Sequence, residues 1–488
     1  MNEIIAIISV FDEENRLEFI KYLQQLNRRS DTKNIELFKL LCKGESEDLD
    51  IKLYGKPNKN AFYVLCNRLQ NRLVDFMAQA SFARETSEEM NCLKLLLASR
   101  IFFEQKQPKL GFKTLQRALN AAQEIEAYSI MNEVYQTYIQ YAHLQQKHPL
   151  ASILQQAEQN NERYTQELKV TTLYAQFRVL STEQVKESFD TQIDQLLKSS
   201  DLNLDTELSF KALHQLMSLA VESAQKDQNY YKILAFTQKL IKIVTSKSDI
   251  KGRYVFYRMQ VMYSMALVLF RNKLLAAASS LLAELKTVLA EHPRYRSVLE
   301  SRVLLLEGLI LFYDGQPEEA SNLLLKTDAK DLRNALTLCM FYFQQREFDK
   351  AYALMKNWNH SDQWYEKKMG WQWVIQKNII EILLLIERDK LDLVLTRLES
   401  FKRRFNAFLM QKKQERVIVF MQLVDRIYNR PEIAQDPEFI AEVEARLTQK
   451  NPIEEDIFVM SFYAWLKSKM TQRPLYETTL DLVKIHGK

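Results

Sequence analysis

Along almost the whole chain, apolar residues return at i, i+3, i+4 and i+7, the period of an amphipathic α-helix. No segment alternates apolar and polar positions as a half-buried strand does. The pattern predicts a first helix over residues 12–26, with Phe19, Ile20, Tyr22, Leu23 and Leu26 on or near one face and Asp12 as its N-cap. A second, short helix is predicted around 34–41, and a third over 59–82, where Phe62, Leu65, Leu69, Leu73 and Phe76 form the stripe. A linker at 27–32, an acidic loop at 44–50 and the Gly55-Lys56-Pro57-Asn58 segment separate them. Residues 1–85 thus form a helical head.

From residue 90 to about 400 the helical phase repeats. Small residues occur in pairs twelve apart: Ser99 and Gly111, Ala266 and Ala278, Gly308 and Ala320, Cys339 and Ala351. Ile382 and Val394 keep the spacing without the small size. Four residues beyond each second member stands a large aliphatic side chain: Leu115, Leu282, Leu324, Met355 and Leu398. In the clearest copy, Asp314-Gly315-Gln316-Pro317-Glu318 reads as a tight turn, with Pro317 just inside the next helix. Residues 128–164 and 206–244 read as further helix pairs, the first broken near His148-Pro149.

These features resemble the tetratricopeptide repeat, in which small residues let two antiparallel helices approach closely. The first-helix tryptophan of that family is missing. The interval between second members is 31 residues from Ala320 to Ala351 and 43 from Ala351 to Val394. The resemblance implies an all-α fold: an α-solenoid of antiparallel helix pairs over 90–400, between the helical head and a helical C-terminal cap over 401–488. Four prolines, Pro431, Pro437, Pro452 and Pro474, fall in that last segment. Asn451-Pro452-Ile453-Glu454-Glu455 reads as a helix start there, ahead of Phe458, Phe462, Tyr463 and Trp465.

Composition narrows the function classes. The 488 residues include only 8 Gly and 9 Pro, against about 34 and about 24 at average usage. That scarcity leaves little material for hairpins or phosphate-cradling loops, and neither a Walker loop nor GxGxxG is present. GxSxG and HExxH are absent as well. The net charge of +5 makes no general case for nucleic-acid or membrane binding. Cys42, Cys66, Cys92 and Cys339 are far apart and read as free thiols of a reducing compartment. No signal peptide and no run approaching a membrane span is apparent, so cytoplasm is the expected location. The histidines are dispersed, and no cofactor, metal or catalytic residue is expected.

Three constellations remain. Four residues after the first small position stand Phe103, Phe270, Phe312 and Phe343, then Ile386. The same helical face carries Tyr263, Leu305, Leu309, Leu336 and Met340, with Arg302 and Arg333 at one equivalent edge position. The repeat resemblance makes this face the lining of a concave groove, suited to an amphipathic helix or hydrophobic peptide. The alternative is that it packs as core between neighbouring helices. Trp364 and Trp371, seven apart, form an aromatic patch on one face if a single helix covers both. A basic patch comprises Arg397, Lys402, Arg403, Arg404, Lys412, Lys413 and Arg416, against two acids over 396–416. The expected activity is that of a non-enzymatic scaffold or adaptor for a protein partner. The alternative is a nucleic-acid-binding regulator that uses the head or the basic patch as its contact.

Overall fold

The computed structural model describes residues 2–9, 11, 13–26, 32–45, 47–84, 88–144, 150–182, 208–227, 229–246, 255–327, 331–412, 414–447 and 457–485. Among them there are 24 α-helices, four short 3-10 turns and no strand, so the fold is all-α. Two compact units are formed, one by residues 1–123 with 130–154, the other by 124–129 with 155–488.

In the first unit the head opens with α1 (Asn2–Ser9), α2 (Glu13–Leu26), α3 (Thr32–Cys42), α4 (Leu49–Tyr54) and α5 (Lys59–Arg84). The three predicted helices are present. α1 and α4 are additions that the sequence pattern does not announce. α1 forms because Ile4 and Ile8, one turn apart, are both buried in the head core. α4 forms inside what reads as an acidic loop because Leu49 and Leu53 bury together, again one turn apart. Phe19 sits at the centre, its ring 4.8 Å from Phe38 and 5.2 Å from Phe76. The predicted cap Asp12 lies outside the described residues.

After the head come α6 (Glu88–Glu104), α7 (Pro108–Glu124), α8 (Tyr128–Gln140) and α9 (Leu150–Thr182). The second unit continues with α10 (Phe210–Asp227), α11 (Leu234–Ser246), α12 (Val255–Arg271), α13 (Leu275–Glu291), α14 (Arg296–Tyr313), α15 (Pro317–Leu325), α16 (Leu332–Gln344) and α17 (Phe348–Met355). It ends with α18 (Asp362–Met369), α19 (Trp371–Glu387), α20 (Leu391–Gln411), α21 (Glu415–Asn429), α22 (Pro437–Leu447), α23 (Ile457–Thr471) and α24 (Leu475–Ile485). The helix start read at 451–455 lies outside the described residues.

Among the described residues one local unit is built five times: at α6–α7, α12–α13, α14–α15, α16–α17 and α19–α20. Seven residues after the first small position the backbone turns left-handed, at Lys106, Lys273, Gly315, Arg346 and Asp389. The N–H of that residue donates to the carbonyl three back, and the next N–H to the carbonyl five back. Both bonds recur in every copy, for example Gly315 to Phe312 and Gln316 to Leu311. This is the Schellman closure of a helix C-terminus. The carbonyl of the residue after the left-handed one then accepts the N–H of the second small residue, or of Val394 in the last copy, so the spacing of twelve is fixed by backbone bonds.

The small residues let the paired helices meet. Cys339 Sγ stands 3.6 Å from the Ala351 carbonyl, and a Cβ placed on Gly308 would stand 3.7 Å from the Ala320 carbonyl. Consecutive helices from α12 to α17 pack on one another, and α12, α14, α16 and α19 also touch in that order.

Candidate functional site

The Phe/Leu/Met stripe lies along α12, α14, α16 and α19. Its phenylalanines are buried: Phe270 and Phe312 have no exposed surface and Phe343 has 4%. Phe312 stacks face to face on Phe341 of the next first-position helix at 4.0 Å. Tyr263, Leu309 and Leu336 are buried too. Arg302, Leu305 and Met340 are half-buried, and Arg333 is exposed. The phenylalanines nearest the helix C-termini are therefore packed inside, and the accessible part of the stripe, its open edge, is Arg302, Leu305, Arg333 and Met340, of which only the two arginines hold equivalent positions.

The cover comes from the chain itself. Tyr476, in α24, donates its hydroxyl to the Phe312 carbonyl at 2.6 Å, with its ring 4.8 Å from that of Phe312. From α23, Ser461 shares a 2.5 Å hydrogen bond with the Tyr313 hydroxyl. Trp465, four residues on and so on the same helical face, donates its indole N–H to Glu387 at 2.7 Å. Lys469, four further, pairs with the same carboxylate at 2.7 Å. Burial at this contact pushes the Tyr476 phenol up, with Tyr313 and Asp314 adding to the rise. The repeat spacing carries no signal for these contacts. Trp465 belongs to an aromatic stretch that the sequence displays, but its partner is 78 positions away.

The open edge holds a polar cluster. The Arg302 guanidinium lies over the Tyr263 ring at 4.2 Å and donates to Gln260 Oε1 at 3.1 Å. Burial, and then the Arg302 charge, lower the pKa of His214 on α10, so the imidazole is held neutral. At the start of α16 the Asp331 carboxylate caps the helix, accepting from the N–H groups of Arg333 and Asn334.

The two tryptophans do not share a helix. Gly370, at φ +87°, ends α18 and opens α19, so Trp364 and Trp371 point from separate elements. Trp364 is 38% exposed, stacked at 4.0 Å on His360 with the Lys368 ammonium 4.8 Å from its ring. Trp371 is half-buried, edge-on to Phe408 at 5.5 Å.

That contact and an ion pair bring the aromatic and basic patches together, since Arg404 reaches Asp362 at 2.9 Å. Most of the basic patch is engaged inside the protein. Arg397 pairs with Glu381 at 3.0 Å and Lys402 with Asp425 at 2.8 Å. Arg416 donates to the Leu447 carbonyl. Lys412 lies over Phe408, and Arg403 is exposed. Lys413 lies outside the described residues. Asp362 also holds Lys377 at 3.0 Å, and Lys377 contacts Glu381 at 3.6 Å. The patch is thus largely one side of a charge network.

Among the described residues no three His, Cys, Asp or Glu side chains stand together as a metal site would require, and no helix is long and apolar enough to cross a membrane. No protein-family model matches the chain, and no curated protein is significantly similar to it.

Proposed function

We propose that the chain is a non-enzymatic protein-interaction scaffold: an α-solenoid resembling tetratricopeptide-repeat proteins, with the head over 1–85, helix pairs over 90–400 and a cap over 401–488. The observation that carries this reading is the helix–turn–helix unit repeated five times with the same two closing hydrogen bonds. Stacked copies of one unit present equivalent side chains at regular intervals, which suits an extended helical or peptide partner. The partner engages the open edge of the stripe, where Arg302, Leu305, Arg333 and Met340 keep accessible surface. The tightly buried phenylalanines hold the helices beneath that edge in register.

The test is an Arg333→Glu/Met340→Gln double variant beside Phe312→Ala in affinity purification. The first is expected to retain its thermal unfolding profile and lose a bound protein, whereas Phe312→Ala lowers stability. If the double variant captures what the parent chain captures in equal amount, the assignment of the edge is wrong.

A further inference from the structure

The head's longest helix leaves one side outside its own core, and that side mixes asparagines with the exposed apolar residues Tyr63, Val64 and Val74. α5 buries Leu65, Leu69, Leu73 and Phe76. Opposite them, at helical spacing, stand Asn60, Val64, Asn67 and Asn71, all exposed, with Tyr63 beside them at 68% exposure. From Ile51 to Val74 the sequence contains no Asp or Glu and five basic residues, Lys52, Lys56, Lys59, Arg68 and Arg72. Lys52 is drawn to Glu45 at 2.6 Å and Arg72 to Asp75 at 3.7 Å. Lys56 and Lys59 are exposed at the very start of the helix.

Three side-chain hydrogen bonds tie that start down. Asn58 Oδ1 accepts the Ala61 N–H at 3.1 Å, Asp50 accepts the Asn58 N–H at 3.2 Å, and the Tyr54 hydroxyl donates to the Ala61 carbonyl at 3.2 Å. α3 and α4 pack against α5.

We propose that α5 is a reading helix for duplex DNA, lying in the major groove with Asn60, Asn67 and Asn71 towards base edges. A carboxamide sets an NH2 donor beside a C=O acceptor, the pair that matches the N7 and N6 edge of adenine. Val64 supplies the apolar contact a thymine methyl takes. Lys56 and Lys59 meet the flanking phosphates. From Asn60 to Asn71 the helix advances about 16 Å, enough to follow a groove about 12 Å wide. Duplex RNA is disfavoured because its major groove is too deep and narrow for a helix. Glu47 and Asp48, exposed just before α4, repel phosphate and confine the contact to α5 and its start.

The test is fluorescence anisotropy of the full chain with a labelled random-sequence 30-base-pair DNA duplex. An RNA duplex and a single strand of equal length run alongside, at 50 and 200 mM salt. DNA duplex binding is expected at low salt and falls steeply at the higher salt. Lys56→Glu/Lys59→Glu weakens it about tenfold or more and lowers the salt slope by about two. Asn67→Asp/Asn71→Asp weakens it while leaving the helical circular dichroism and melting profile intact. Arg403→Glu/Lys412→Glu leaves it unchanged. The proposal is overturned by no binding at 50 mM salt, by equal or tighter binding of RNA or single strand, or by loss confined to the Arg403/Lys412 variant. Affinity unaffected by both α5 variants overturns it too, and would leave the exposed face to a protein partner.

Discussion

Gly111 and Gly308 both bury their α-carbons where paired helices touch, yet a methyl group meets different neighbours at each. On Gly111 it would stand 2.8–2.9 Å from three carbons of the Phe103 ring. That ring is held by a parallel stack on Tyr141 at 4.1 Å and an edge contact with Phe112 at 4.8 Å. Gly111→Ala is therefore expected to cost about 1–3 kcal/mol through overpacking. On Gly308 the methyl would stand 3.2 Å from side-chain carbons of Leu324, which can shift by tenths of an ångström. Replacing a mid-helix glycine also gains about 1 kcal/mol of helix propensity, so Gly308→Ala stays within about 1 kcal/mol of the parent. Urea unfolding midpoints at constant slope check both. A titration belongs to the same scale. His214 has its pKa lowered in the fold, so the unfolded chain binds its proton more readily. Its contribution is fully present above the unfolded value of about 6.5. It is lost as pH falls below that value towards the lower folded one. Between pH 7.5 and 5.5 the parent should lose more stability than His214→Gln. An equal loss in both would show that the imidazole is not held neutral.

At the scale of the helix pair, the closing turn decides which copies can be seen in the sequence. Gly315 announces its turn, because glycine accepts a φ of +93° without penalty. Lys106, Lys273, Arg346 and Asp389 occupy the same place at φ between +54° and +64° and announce nothing. Their turns are imposed by the flanking helices, whose packing outweighs a local cost of about 1–2 kcal/mol. Arg346→Gly, at an exposed position, is accordingly expected to stabilise the protein by up to about 1 kcal/mol. Gly315→Ala, with open space around the new methyl, should destabilise it by a similar amount. Opposite signs in paired thermal melts confirm that one turn geometry serves both copies, and equal signs contradict it. The spacing of twelve was legible because four of the five copies place small residues where the paired helices meet. α1 and α4 were not, because each is short and defined by only two buried side chains. The single helix that would align Trp364 with Trp371 fails at Gly370, whose left-handed backbone turns the chain between them.

Across the whole molecule, side-chain type was legible and side-chain use was not. A phenylalanine recurring in four of the five helix pairs shows that one face is apolar, whichever surface covers it. Phe312 packs against Tyr476, 164 positions away, and no local pattern encodes that pairing. The basic run is likewise visible as charge, but its carboxylate partners Asp362, Glu381 and Asp425 lie on other helices. Of the stripe, Arg302, Leu305, Arg333 and Met340 stay accessible after the chain has packed on itself. The most direct measurement is quantitative affinity purification of the full chain beside Arg333→Glu/Met340→Gln, matched for thermal stability. The scaffold account predicts at least one bound protein depleted tenfold or more in the double variant, with the rest unchanged. An identical set of bound proteins in identical amounts, from a variant that folds as well as the parent, would contradict it.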